Sequence, residues 1–219
     1  MNGRDARDGM MDILVRANAL LSKHPASRNQ HLIFPSKRPS SNIQNPTPST
    51  QPQAPRTQSP LQITFKEIDV SRHFEACYAF RKDSYFCSFG TTEGYEASIG
   101  DYRARIIERM ESGERFYYHI WHNDQIIGQL EFKPYSFKPG YGYVHLIYVV
   151  PAYRGAGVAD KAQSFIQTEL STLNCRGAIL SVSRENTRAL RHYKKWNWQF
   201  LKKNSKNPLT DYYERSYHD

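Results

Sequence analysis

The densest chemistry in the chain lies at residues 149–160, which read Val-Val-Pro-Ala-Tyr-Arg-Gly-Ala-Gly-Val-Ala-Asp. The apolar, β-branched run before them suits a strand, and residues 157–173 after them carry helical periodicity. A glycine-rich turn at such a junction exposes backbone N–H groups that have no intrahelical acceptor, and the helix dipole adds partial positive charge. A pyrophosphate fits there. Gly155 and Gly157 remove side chains that would block its approach, and Arg154 can add a cationic contact. A dinucleotide fingerprint needs glycine where Asp160 stands, and a P-loop needs a Gly-Lys-Ser/Thr that is absent. By itself the segment reads equally as an ordinary tight strand-to-helix turn.

A second constellation is Asn186-x-x-Ala189-x-x-x-Tyr193. Spaced i, i+3 and i+7, the three side chains share one helix face, and the small residue between amide and phenol lets a ligand lie close. The alternative for Tyr193 is a core aromatic of an amphipathic helix. Upstream, Tyr143, His145 and Ile147 share one strand face by the period of two. The three cysteines, Cys77, Cys87 and Cys175, form no C-x-x-C and no zinc-finger cluster with the eight histidines, so no metal site is expected. Reduced thiols point to a cytoplasmic protein.

The elements that must position these residues follow from periodicity. Strands are expected at 62–65, 116–121, 125–132, 143–150, 178–183, 198–202 and 211–216. Helices are expected at 71–83 with Ser71 as N-cap, at 95–111, at 157–173 and at 186–196. Strand–helix–strand order calls for some parallel pairing and the hairpins for antiparallel pairing, hence an α/β (α+β) mixed sheet with helices on both faces.

Composition divides the chain near residue 60. Residues 35–60 are dominated by Pro, Ser, Thr, Gln and Asn, with one large aliphatic and no aromatic residue. Such a segment buries too little surface to offset its ordering entropy. Residues 1–60 therefore read as a disordered, low-complexity tail and linker, and 61–219 as the folded domain. A short apolar patch (Met10, Met11, Ile13, Leu14, Val15) is interrupted by Asp12 and Arg16, a poor signal-peptide core. No apolar run approaches the roughly 18 residues of a membrane helix. The formal charge of +9 invites a nucleic-acid partner, but only +4 of it falls on residues 61–219. A modestly basic enzyme with a polyanionic ligand is the simpler explanation. Oligomeric state is not legible.

Taken together, Arg154-x-x-Gly157-x-Ala159 resembles the R/Q-x-x-G-x-G/A motif of the GNAT superfamily of N-acetyltransferases, preceded as in many members by a hydrophobic-Val-x-Pro run. Asn186-x-x-Ala189-x-x-x-Tyr193 resembles that family's N-x-x-A-x-x-x-Y segment. The resemblance implies a GNAT-like acyl-CoA N-acyltransferase fold and acetyl-CoA as cosubstrate. It implies that Ile147, Tyr148 and Val149 meet the pantetheine arm, with Asn186 beside it. Arg154, Gly155, Ala156, Gly157, Val158, Ala159 and Asp160 would hold the pyrophosphate, and Tyr193 would be the acid for the departing thiolate. For the base the resemblance offers His145, on a strand where a family member carries histidines, or Glu131 on the preceding strand; the usual strand-glutamate position is Tyr143. One departure is Asn197-Trp198, where many relatives have Gly-Phe. Asn still tolerates a left-handed cap and Trp fills the apolar position. The expected reaction is direct transfer of acetyl to an amine-bearing small molecule or protein in a ternary complex. The other readings are a non-catalytic acyl-CoA-binding module and a secreted or RNA-directed acetyltransferase.

Overall fold

The computed structural model describes residues 61–217; the expected tail and linker lie outside the described residues. Seven strands form one mixed sheet in the order β1-β2-β3-β4-β5-β7-β6. They are β1 (Thr64–Glu67), β2 (Phe116–His122), β3 (Gln125–Lys133), β4 (Tyr141–Val149), β5 (Gly177–Ser183), β6 (Gln199–Lys203) and β7 (Thr210–Ser216). Every neighbouring pair is antiparallel except β4 and β5, which run parallel. The mixed α/β sheet expected from the element order is the sheet found.

Helices α1 (Val70–Phe89), α2 (Tyr95–Ile99) and α3 (Tyr102–Glu111) cover one face over β1 to β4; α4 (Val158–Thr172) packs on the other, with α5 (Thr187–Lys195) beside it. The main core lies under α4, where Val158, Ala162, Ile166 and Leu170 meet Ile120, Leu130, Phe132, Val144 and Leu180. These helical positions are each four apart, which keeps one apolar stripe on the sheet. Among the described residues no helix is long and apolar enough to cross a membrane.

Three local expectations change. The cap of α1 is Asp69, whose carboxylate accepts from the backbone N–H of Ser71 (3.0 Å) and Arg72 (3.2 Å), rather than Ser71. The helix also continues past residue 83 to Phe89, stopping only at Gly90, which takes the left-handed cap. The single helix expected at 95–111 is broken at Gly100 (φ 47°, ψ −137°), outside helical geometry. Asn197 takes φ 56° and Trp198 is buried, so the Asn-Trp pair fills the roles of a glycine turn and an apolar plug.

Candidate active site at the parted strands

The site begins with a fault in the sheet. β4 and β5 pair only from Tyr141↔Gly177 to Val144↔Leu180, although β4 continues to Val149 and β5 to Ser183. Beyond Val144 the facing edge of β4 has no strand partner among the described residues, and its backbone groups border an opening.

A bulge starts where the pairing ends. On the β3 side Phe132 pairs with Val144 but Glu131 pairs with Leu146, leaving His145 as the extra residue. This overturns the expectation that Tyr143, His145 and Ile147 share a face. Tyr143 packs with Ile179 and Tyr212 on one side of the sheet, its ring 4.5 Å from that of His145, while Ile147 packs into the core under α4. One inserted residue reverses the alternation.

Two cavities meet at this opening. The larger, about 340 Å³, is bordered by Ile147, Tyr148 and Val149 of β4, by the turn from Tyr153 to Gly157, by Ala159 and Asp160 of α4, and by Asn186 and the inner face of α5. The smaller, about 120 Å³, lies between α1, α2, the free ends of β4 and β5, and Thr210. Ser84, Ile147, Asn186, Ala189 and Tyr193 border both.

The turn has the properties a phosphate needs. Gly155 and Gly157 hold φ of 81° and 79°, left-handed values that cost other L-residues about 1–2 kcal/mol. A Cβ at either would meet open space, so the local backbone requires glycine there and neighbouring atoms do not. The N–H groups of residues 155–160 have no acceptor among the described residues, while that of Lys161 starts the helix by donating to Gly157 (3.1 Å). Of the residues expected at this cradle, Val158 is buried in the core and Ala156 is exposed and does not border the cavity, leaving their backbones as the usable groups.

Arg154 is engaged elsewhere. Its Nε donates to the Val149 carbonyl (2.8 Å) and its Nη2 to Asp83 (2.8 Å), while the Tyr148 hydroxyl donates to the same carboxylate (2.7 Å). Burial works against ionisation of Asp83, but the bonds from Tyr148 and Arg154 outweigh it and hold the carboxyl below the usual range. The side chain thereby ties the turn to α1. Asp160, in the first turn of α4, accepts from Lys195 Nζ (2.8 Å) and Trp196 Nε1 (2.6 Å) of the α5 region.

The second constellation stays together. Asn186 caps α5, its side chain accepting from Ala189 N (3.1 Å), and Tyr193 lies one turn further on the same face. The Tyr193 ring stands edge-on to Trp198 at 5.8 Å, and its hydroxyl has no hydrogen-bond partner among the described residues. Burial pushes its phenol up to about 12, so it is protonated at neutral pH. Of the two base candidates, His145 borders the smaller cavity and Glu131 borders neither. Glu131 accepts from Tyr102 (2.8 Å) and Gln129 (2.8 Å) and lies 3.7 Å from Arg81, a buried polar network.

Sequence reasoning missed Ser84 and Cys87 on α1, Ser181 and Ser183 on β5, and a stripe of Arg188, His192 and Lys195 facing the larger cavity, in which Arg188 and Lys195 carry the positive charge. The stripe has i, i+4 and i+7 spacing, a legible signal hidden by the general charge of a helix that reads as a solvated face.

A parted pair of parallel strands with an N–H cradle on one flank and a half-buried phenol at the junction is the layout of an acyltransferase. The chain belongs to the acetyltransferase (GNAT) family, which matches it over residues 74–198. Solved structures of similar fold include the PaiA N-acetyltransferase of Thermoplasma acidophilum in complex with coenzyme A (TM-score 0.61, 14% identity, covering 71% of this chain and 99% of that one). An acetyltransferase of Thermus thermophilus follows (TM-score 0.58, 16% identity, 73% and 99%). The spermidine N-acetyltransferase of Vibrio cholerae in complex with CoA and spermine is also similar (TM-score 0.55, 15% identity, 70% and 93%). No curated protein matches the chain.

Proposed function

We propose that this protein is an N-acetyltransferase that moves the acetyl group of acetyl-CoA to a primary amine by direct attack in a ternary complex. The parting of β4 and β5 beyond Val144 carries this reading, because it joins a phosphate cradle and a second cavity through one junction bordered by Tyr193.

The residues present fit the cosubstrate. Six unpaired N–H groups and two side-chain-free positions suit its pyrophosphate, and the free β4 edge at Ile147, Tyr148 and Val149 suits the amides of a pantetheine arm. Arg188 and Lys195 supply positive charge to the same cavity, and Asn186 and Ala189 let the arm pass close to α5. Acetyl-CoA supplies an acyl group activated as a thioester.

In the proposed reaction the amine, seated in the smaller cavity, attacks the acyl carbon at the junction. The N–C bond forms and the C–S bond breaks. A backbone N–H of the unpartnered β4 edge stabilises the charge that develops on the acyl oxygen. Tyr193 donates its proton toward the leaving sulfur, and the proton shed by nitrogen restores the balance. A phenol near 12 is a poor acid toward an aqueous thiol of about 8.5. The departing thiolate lies beside the phenol in the same cleft, so desolvation raises both groups and narrows the gap.

The test is CoA release by purified protein supplied with acetyl-CoA and a panel of amines, followed with a thiol reagent. Tyr193→Phe keeps the ring against Trp198 and removes only the hydroxyl. We expect turnover to fall by about 10²–10⁴ with acetyl-CoA affinity retained within a few-fold. Unchanged turnover removes Tyr193 as the acid. Acetyl-CoA binding without CoA release for any amine leaves a binding module instead.

A further inference from the structure

The smaller cavity has an unusual charge inventory. Among the described residues that border it, Arg81 is the one fixed charge and there is no carboxylate. Tyr85, Phe89 and Tyr95 form an aromatic wall, and Ser181, Ser183 and Thr210 give hydroxyls at the free end of β5. The carboxylate on the neighbouring strand, Glu131, is held by Tyr102, Gln129 and Arg81 outside the cavity wall. Arg81 is itself paired with Glu131, so a dication entering here meets no carboxylate left to neutralise it among the described residues, and burying such a charge is costly.

Among the described residues the cavity wall also holds no carboxylate that could serve as a base. His145 is the one imidazole on its wall, facing Arg81 of α1, Arg109 of α3, Arg115 before β2, and Lys133 and Glu131 of β3, with Tyr143 on its own strand. Burial, then the charges of Arg115, Lys133, Arg81 and Arg109, hold its conjugate acid well below the ordinary histidine range. A neutral imidazole so disposed takes a proton poorly from an alkylammonium ion, so the acceptor must arrive as free base. A lysine-type amine of pKa about 10.4 is free in roughly one molecule in 2,500 at pH 7, and an α-amino group of about 8 in roughly one in ten.

We propose that this cavity takes a primary amine with no second positive charge and with nitrogen made weakly basic by a neighbouring carbonyl: the α-amino group of an amino-acid amide or peptide N-terminus. Polyamines and lysine side chains are disfavoured. The inference rests on the acetyltransferase reading above. It names the acceptor class from the cavity's absence of anion and base and from its aromatic wall. Transfer balances without an enzyme base, since nitrogen loses one proton and sulfur gains one.

The experiment compares four acceptors with full-length protein and acetyl-CoA at pH 7: phenylalaninamide, 2-phenylethylamine, Nα-acetyl-lysine amide and spermine. Phenylalaninamide should exceed each of the others at least tenfold in kcat/KM, part of the free-base advantage being offset by its lower nucleophilicity. Its acid limb should follow its own amine pKa, with that of 2-phenylethylamine displaced to higher pH. Ser88 of α1 borders this cavity and not the larger one, so Ser88→Asp places a carboxylate in the wall, and spermine should then gain at least tenfold with acetyl-CoA binding unchanged. A preference of the wild type for spermine or the lysine amide overturns the acceptor inference alone, as do acid limbs that coincide for the two phenyl amines. No CoA release with any acceptor, while acetyl-CoA binds, removes the transferase reading itself.

Discussion

At the first turn of α4, Asp160 stands beside the phosphate cradle yet spends its carboxylate on α5. It accepts from Lys195 Nζ and Trp196 Nε1, with His192 Nδ1 3.9 Å away. An anion at a helix N-terminus suits the dipole, and here it also clasps the two helices that flank the larger cavity. The bonds from Lys195 and Trp196, outweighing burial, hold its carboxyl below the usual value of 3.8. A carboxyl whose pKa is depressed by folding contributes stability that is present above its unfolded pKa and lost as pH falls through the folded one. Asp160 is about a third exposed, so its ion pair is discounted for screening. We expect Asp160→Asn to cost roughly 1 kcal/mol at pH 7, with the difference from wild type shrinking at an acid pH well below the usual 3.8. Urea denaturation of both proteins at the two pH values checks this; an equal deficit at low pH would assign the loss to packing rather than charge.

At the scale of elements, the opening depends on what α5 presents to it. Ala189 borders both cavities, and any larger residue there projects into the passage between cradle and junction. Ala189→Trp should raise the KM for acetyl-CoA more than tenfold while thermal denaturation moves by only a few degrees, because position 189 is half-exposed and lies outside the buried core. Unchanged KM would place the arm elsewhere. The elements themselves were largely legible: the apolar periods of two and 3.6 located all seven strands and the α4 and α5 helices, and the Arg154–Gly157–Ala159 and Asn186–Ala189–Tyr193 spacings located the borders of the larger cavity. The bulge at His145 was not legible. Register belongs to a pair of strands, and nothing within Tyr143-Val144-His145 records that Glu131 skips one residue across the ladder. The same holds for Glu131, whose involvement with Arg81 and Tyr102 joins three elements far apart in sequence. The extension of α1 to Phe89 was hidden because Ser88 to Thr92 reads as a turn, although only Gly90 stops the helix.

For the whole molecule, the distribution of charge sets the question. Residues 1–60 carry a net +5 and residues 61–219 a net +4, so the shorter segment has most of the excess. The described sheet starts immediately after this boundary: Leu61 and Ile63 pack against the core under α4, and β1 begins at Thr64. Among the described residues, those that border the two cavities run from Arg81 to Thr210. A cut between residues 60 and 61 therefore retains the apolar contacts of Leu61 and Ile63 and every described residue that borders the site. We expect the truncated chain to melt within about 2 °C of the full-length protein, since 1 kcal/mol corresponds to roughly 2–4 °C in a domain of this size. Its affinity for acetyl-CoA should stay within about twofold at 0.15 M salt, where charges beyond roughly 8 Å are screened from the cradle. Calorimetry of the two forms, by thermal scan and by acetyl-CoA titration, measures both quantities. A fall of more than about 5 °C would place part of the folded domain before residue 61. A salt-dependent loss of acetyl-CoA affinity without a change in melting would instead give the basic segment a part in drawing the polyanion to the cleft.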